Sequence, residues 1–253
     1  MEINILPKFI DEAATPIAQS VGNSISGIWD LVFGNHVSLW IKKQEVRHQR
    51  NYEDFVNRTN AKIERISEDN LREPEMYILG PAIEASKYYI ASEELREMFA
   101  NLIASSVDSR ADGIVHPSFV EIIKQLSSLD ASILKNFTAI SKFPIVRINL
   151  TKENSAYQLI YENILDYTES DKFESYISSI SNIQRLGLID INYTISLAEP
   201  TNYEFVEKHP AYLKAKGLLQ EKEYQSYQTC DFDEGVTKLT PLGKNFVLAC
   251  CIN

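Results

Sequence analysis

The chain has 253 residues, 44% hydrophobic and 24% charged, with 35 acidic against 25 basic side chains and a formal net charge of -10. That length suits one large domain or two modest ones. The acidity excludes generic binding to a phosphate backbone, and nine glycines and nine prolines are too few for a low-complexity chain.

The N-terminal residues hold no apolar run of h-region length, so no secretory signal is expected. No stretch reaches 18 consecutive apolar residues, so no ordinary membrane span is expected either. Residues 13–29 carry no charge, and up to Ile41 the only charged side chain is Asp30. Ala14, Ile17, Val21, Ile25, Ile28 and Val32 recur at three and four, with Gln19, Asn23, Ser26 and Asp30 on the other side, which predicts an amphipathic helix. Basic Lys42, Lys43, Arg47 and Arg50 follow, as they do after a surface-lying helix. Packing on the chain's own core, on a second copy or on lipid all satisfy such a stripe. Ile17, Val21, Ile25, Ile28 and Val32 are therefore the candidate association face, and residues 13–41 the candidate for peripheral membrane contact. An identical arm is favoured over lipid, because Gln19, Asn23 and Asp30 are costly at hydrocarbon depth. The helical pattern continues over 36–71 with Ile41, His48, Tyr52, Phe55, Thr59, Ile63 and Ile66 at nearly heptad spacing, interrupted by His48 and Thr59. Residues 1–72 thus read as an amphipathic helical arm ending near Glu73-Pro74. The arm is almost neutral, with nine bases and ten acids, whereas residues 73–253 hold sixteen and twenty-five.

Residues 73–143 read as a helical core. Residues 74–89 form a helical segment expected to bend or restart at Gly80-Pro81, since proline breaks the ladder of a helix interior. Ser92 is placed to cap the next helix, with Glu93 and Glu94 favouring its dipole. Leu95, Met98, Phe99, Leu102, Ile103 and Val107 make its apolar stripe; Glu94, Glu97, Asn101 and Asp108 line the opposite face. Pro117 opens a helix carrying Phe119, Val120, Ile122, Ile123 and Leu126. Ser127 and Ser128 with Asp130 open another, carrying Ile133, Leu134, Phe137 and Ile140, and Pro144 stops it.

Residues 144–253 read as a winged-helix-like module. Phe173, Tyr176, Ile177, Ile180, Ile183 and Leu186 give a helix face, and Gly187 is well placed just past its end. Alternation over 189–197 predicts a half-buried strand, and a second is expected at 236–240, together a small antiparallel β-hairpin. Thr240-Pro241 starts a last helix with Leu242, Phe246, Val247 and Cys250. The long connection 198–235 is an acidic insertion holding Glu199, Glu204, Glu207, Glu221, Glu223, Asp231, Asp233 and Glu234. The helix in the DNA-reading position offers Asn182, Gln184 and Arg185 but otherwise serines and Glu174, so nucleic acid is not the expected partner. The fold class is mainly α.

Reactive constellations are weak. His36, His48, His116 and His209 form no HExxH or HxH, and the nine glycines never approach a phosphate loop or a GxGxxG. There is no GxSxG elbow. Cys230, Cys250 and Cys251 give neither a disulfide framework nor a CxxC site, and the last two read as core thiols of a reduced, cytoplasmic protein. No catalytic residue, cofactor or metal ligand is expected. Glu93, Glu94 and Glu97 read first as a solvated helix start. His116 reads as a capping histidine before Pro117, with contact to Asp108 or Glu97 as the functional alternative.

The run Glu94-Leu-Arg-Glu-Met-Phe-Ala-Asn-Leu-Ile-Ala-Ser-Ser-Val-Asp108, followed by Val115-His-Pro-Ser-Phe-Val-Glu-Ile-Ile-Lys-Gln-Leu126, resembles the bacterial abortive-infection alpha family. Ile78-Leu-Gly-Pro81 upstream and Leu239-Thr-Pro-Leu-Gly243 with Phe246 also fit, so the resemblance covers roughly residues 74–252. It implies a role in defence against bacteriophage and brings no catalytic residues. Glu94, Arg96, Glu97, Asn101, Asp108 and His116 are the candidate family-motif residues. The expected protein is a non-enzymatic defence protein acting by association, as a homo-oligomer or with a partner protein. The alternatives are a winged-helix DNA-binding regulator or nucleic-acid sensor, and a membrane-acting effector using the N-terminal helix.

Overall fold

A computed structural model describes residues 15–34, 46–137, 142–166 and 172–252. Ala14, His36, Ile41, Lys42, Lys43 and Ile140, named above, lie outside the described residues. The fold is mainly helical with a small antiparallel sheet in the C-terminal part. By its internal contacts the chain forms two compact units, Met1–Lys135 with Asn245–Asn253, and Asn136–Lys244.

In the first unit, α1 (Pro16–Trp29) begins on a proline, whose fixed φ suits a first turn, and runs into a π-helical turn, Asp30–Gly34. Its apolar stripe faces inward. Val21 and Ile25 are fully buried, and Trp29 stacks on Phe33 and Phe55 at 5.0 and 5.1 Å between ring centroids. The indole Nε1 donates to Tyr52 Oη at 2.7 Å, so the indole N–H is satisfied inside the aromatic cluster. Helix α2 (Val46–Ile63) supplies Tyr52, Phe55 and Ile63 to the same core. Thr59, an interruption in the sequence pattern, is buried and turns its hydroxyl onto the Phe55 carbonyl at 2.8 Å. The helix expected to reach residue 71 stops at Ile63. A turn follows, then the 3-10 turn Glu68–Asn70, and Leu71 forms a single antiparallel bridge with Asp108.

Helix α3 (Met76–Tyr89) passes through Pro81 unbroken, contrary to the expected restart. Pro81 and Tyr77 lie on its exposed side, so the Tyr77 carbonyl that proline leaves unpaired can be hydrated. The centre of the unit is α4 (Glu93–Ser106), started by Ser92, whose hydroxyl accepts from Leu95 N–H at 3.3 Å. Met98, Phe99, Leu102 and Ile103 are fully buried, because α2, α3 and α5 (Ser118–Ile123) all pack on this helix. Helix α6 (Ser128–Asn136) opens with a reciprocal cap: Asp130 N–H donates to Ser127 Oγ at 3.1 Å, and Ser127 N–H donates to the Asp130 carboxylate at 2.8 Å.

The second unit contains a four-stranded antiparallel sheet of order β2-β1-β4-β3, with β1 at Phe143–Thr151, β2 at Tyr157–Ile164, β3 at Ile189–Asn192 and β4 at Thr229–Leu239. The expected hairpin is present as β3 and β4 but is only half of the sheet. Strand β3 covers four residues instead of 189–197, because Asn192 turns its side chain onto Thr194 N–H at 2.7 Å and ends the extended run. Strand β4 starts seven residues before the expected 236. Strands β1 and β2 were not expected.

Helix α7 (Phe173–Arg185) ends in a Schellman motif: Leu188 N–H reaches Ile183 O, Gly187 N–H reaches Gln184 O, and Gly187 takes φ +74°. The acidic insertion is folded, not open. It contains the 3-10 turns Pro200–Tyr203 and Val206–Lys208 and helix α8 (Pro210–Leu218), capped by His209 Nδ1. These elements cover one face of the sheet, where Val146, Ile148, Leu150, Ile164 and Cys230 meet Phe173, Tyr203, Val206, Tyr212 and Ala215. The last helix, α9 (Pro241–Cys250), is capped by Thr240, whose Oγ1 accepts from Gly243 N–H and donates to Gly187 O. Its closing residues belong to the first unit, because Asn101 and Ser105 of α4 donate to the Cys250 and Ala249 carbonyls at 2.8 and 3.0 Å, and Phe246 sits edge-on to Phe119.

Candidate functional site

The family-motif residues lie along α4 and the turns after it. At the start of α4, charges from two helices interlock. Asp54, Arg58 and Lys62 repeat every four residues on α2, and Glu93 and Glu97 do so on α4. Arg58 reaches Asp54, Glu93 and Glu97 at 2.7, 3.0 and 2.8 Å, and Lys62 reaches Glu97 at 2.7 Å. Arg96 closes the group, with Nε on Asp54 at 2.8 Å and Nη1 on the Ile90 carbonyl at 2.5 Å. Three carboxylates against three cations make the ladder neutral. Burial alone would raise the Glu97 carboxyl; the hydrogen bonds from Lys62 and Arg58 outweigh it and hold Glu97 below the usual carboxylate range. The bond to Glu97 in turn raises the Arg58 guanidinium.

The other motif residues are spread out. Burial opposes ionisation of Glu94, but its own backbone N–H and the hydroxyls of Ser92 and Ser128 hold it low. Asn101 is buried, with Nδ2 on Cys250 O and no partner for Oδ1 among the described residues. Asp108 accepts from Arg110 N–H at 2.9 Å and from its guanidinium at 2.6 Å; those bonds outweigh burial and lower its carboxyl. His116 is exposed, and its Nδ1 bonds the hydroxyl and N–H of Ser118 at 2.7 and 3.1 Å, so it caps α5. Its hydrogen bonds go to Ser118, not to Asp108 or Glu97. The structure thus brings together Arg96 and Glu97, through Asp54 and Arg58, which sequence reasoning passed over. The available signal was the four-residue repeat of charges on α2, each one position before Phe55, Thr59 and Ile63 of its buried side.

The candidate association face needs correction. Val21, Ile25 and Val32 are buried within the chain, Ile28 is half-buried, and only Ile17 is exposed, at 43%. A stripe already covered by the chain's own aromatic cluster presents little to an identical arm. Burial pushes the Cys250 thiol well up and Cys251 to about 12, far from a reactive thiolate. Among the described residues no three His, Cys, Asp or Glu side chains are grouped to hold a metal ion, and no helix is long and apolar enough to cross a membrane.

A family model described as Abortive infection alpha matches residues 47–250 of the chain. No curated protein matches it. Among solved structures, an uncharacterized protein from the hydrocarbon-degrading marine bacterium Alcanivorax borkumensis is similar at 15% identity, over 55% of this chain and 92% of that one, with a TM-score of 0.34.

Proposed function

Because the chain belongs to the abortive infection alpha family, we propose that it is a phage-defence protein that works in the bacterial cytoplasm by protein association and carries out no reaction of its own. The observation that carries this is the state of the motif side chains. Arg96, Glu97 and Asp108, with Nδ2 of Asn101 and Nδ1 of His116, form their hydrogen bonds inside the chain, and the carboxyls of Glu94, Glu97 and Asp108 are all held low. A general acid or base is useful when its environment moves it toward neutral pH; these are moved away from it. The motif then serves to lock α2, α4 and α9 into a rigid body that a partner or a second copy can recognise.

We read α7, β3, β4 and α9 as a winged-helix-like module used for protein contact, with α8 inserted between its strands. Within α7 the one cation is Arg185, and it folds back onto Asn182 at 2.8 Å, which favours protein over DNA as the partner. Contact with lipid through residues 13–41 has a small footprint: Ile17 and Leu31 are the exposed large apolar side chains among the described residues there. Two such side chains supply about 3–6 kcal/mol when fully buried, which also favours a protein partner.

The test is plaque formation on a bacterial host expressing the chain, across a panel of phages, with Glu94→Gln and His116→Gln beside the parent. Both variants are expected to protect as the parent does. Loss of protection in either variant at unchanged melting temperature would point to chemistry at the motif and end the association reading. A DNA mobility shift with a steep dependence on salt would instead establish the nucleic-acid alternative.

A further inference from the structure

Among the exposed carboxylates of the second unit, three converge. Glu204 and Glu207 stand on the turns that include Pro200–Tyr203 and Val206–Lys208, and Glu234 stands on β4, some thirty positions on in the chain. With Pro200, Tyr203 and Phe232 they line a cleft of about 290 Å³. Strand register explains why the group is uncompensated. Arg147 opposes Asp233 across β1 and β4 and binds it at 2.7 Å, whereas Glu234 opposes Val146 and therefore points to the other face of the sheet. Lys208, the neighbouring cation in sequence, forms no ion pair with the three, and none of them has a side-chain hydrogen bond among the described residues.

The floor is aromatic and fixed. Tyr203 is buried, accepts from Leu197 N–H and donates to Gly235 O, both at 2.9 Å, which pins the turn to β4. Phe232 is half-buried, and the Tyr212 ring meets it edge-on at 6.3 Å. Burial first, and then the Glu234 charge, raises the Tyr203 phenol, so negative potential reaches the floor. A cavity at the lower end of the 300–1,000 Å³ typical of ligand sites holds one side chain rather than a cofactor. A carboxylate rim over an aromatic ring matches a guanidinium, which forks onto carboxylates, stacks on aromatic faces and is weakly hydrated.

We propose that this cleft receives an arginine side chain from a basic segment of a partner protein. The inference rests on the association reading above and names the chemistry of the partner. An ammonium is the poorer fit, being a strongly hydrated point charge.

The test is fluorescence anisotropy of the full chain at 0.15 M salt, with a fluorescein-labelled heptapeptide carrying two arginines spaced by one residue, and its lysine twin. The arginine peptide is expected to bind at least three-fold tighter than the lysine peptide. Glu204→Gln with Glu207→Gln and Glu234→Gln should weaken it by ten-fold or more. Glu64→Gln with Glu68→Gln and Glu153→Gln, the same charge change at exposed positions elsewhere, should stay within two-fold. Equal weakening in both triple variants would reduce the effect to overall acidity and overturn the proposal, as would a parent that binds neither peptide. Spermidine displacing the peptide with equal affinity would make this a small-cation site and also overturn it. The cleft variant is scored for phage protection as well: binding lost with protection intact removes the cleft from defence and leaves the association reading standing, whereas binding and protection lost together support both.

Discussion

Gly243→Ala tests how α9 is seated. A Cβ built on Gly243 would lie 1.8 Å from the Leu188 carbonyl oxygen and 2.7 Å from its carbon, both backbone atoms that cannot rotate away. Carbon and carbonyl oxygen in contact sit about 3.3 Å apart or more, so the start of α9 must move by roughly 1.5 Å. That movement pulls on Thr240 N–H to Leu188 O at 3.0 Å and Thr240 Oγ1 to Gly187 O at 2.5 Å. Two hydrogen bonds at about 1 kcal/mol each and about 1–3 kcal/mol of overpacking give a loss on the order of 3–5 kcal/mol. At about 2–4 °C per kcal/mol for a chain of this size, the melting temperature should fall by roughly 6–20 °C. Gly217→Ala is the matched control: it lies inside α8, with nothing within 4 Å of its Cβ. It should stabilise by about 0.5–1 kcal/mol, since alanine loses less backbone entropy in a helix. Thermal unfolding followed by near-UV circular dichroism reads both. If Gly243→Ala shifts the transition by less than 2 °C, or if the two variants move it the same way, the close approach at Leu188 has been misjudged.

Leu102 is fully buried at the centre of α4, so Leu102→Ala should cost about 2–5 kcal/mol in urea denaturation; a change under half a kcal/mol would show that α4 is not the core. Ile25→Asp should unfold the helical unit rather than dissociate a complex, because it buries a carboxylate beside the Trp29 cluster; a variant with parental helicity but lower sedimentation would reverse that conclusion. Glu97 has a lowered carboxyl in the folded chain, so its contribution is complete above its unfolded value of about 4.3 and is lost as pH falls through the folded value. The stability gap between parent and Glu97→Gln should therefore be widest near pH 7 and narrow as the pH falls through the folded carboxyl's lowered value; a gap that does not change on acidification would show that the ladder does not act through charge.

The parts legible in the sequence were those settled within one turn of helix. Ser92, Ser127 with Asp130, Gly187 and Thr240 each cap or end a helix as their side chains dictate, and the stripe from Leu95 to Ile103 is buried as its spacing predicts. Strands β1 and β2 were hidden because their pairing shifts register after Val146 and again after Ile148, while Asn163 takes φ +61°, so the two-residue period never runs long enough to register. The stripe of Val21 and Ile25 was visible, but periodicity identifies a face and not what covers it. In the candidate site, Arg96 and Glu97 were found from the motif, while Asp54, Arg58 and Lys62 were not, since their partners stand 35 to 42 residues away. The convergence of Glu204 and Glu207 with Glu234 was out of reach for the same reason.

The seating of α9 on α4 has a consequence for synthesis. Asn101 finds its acceptor 149 positions later, on Cys250. At about 5–20 residues per second on the ribosome, α4 waits roughly 7–30 s after it is made for the carbonyls that satisfy Asn101 and Ser105 and for the ring that meets Phe119. Residues 136–244 emerge entirely within that interval and hold their own sheet and core. The order of maturation is therefore set against the order of translation: the segment made in the middle can finish first, and the helical unit begun before it closes last.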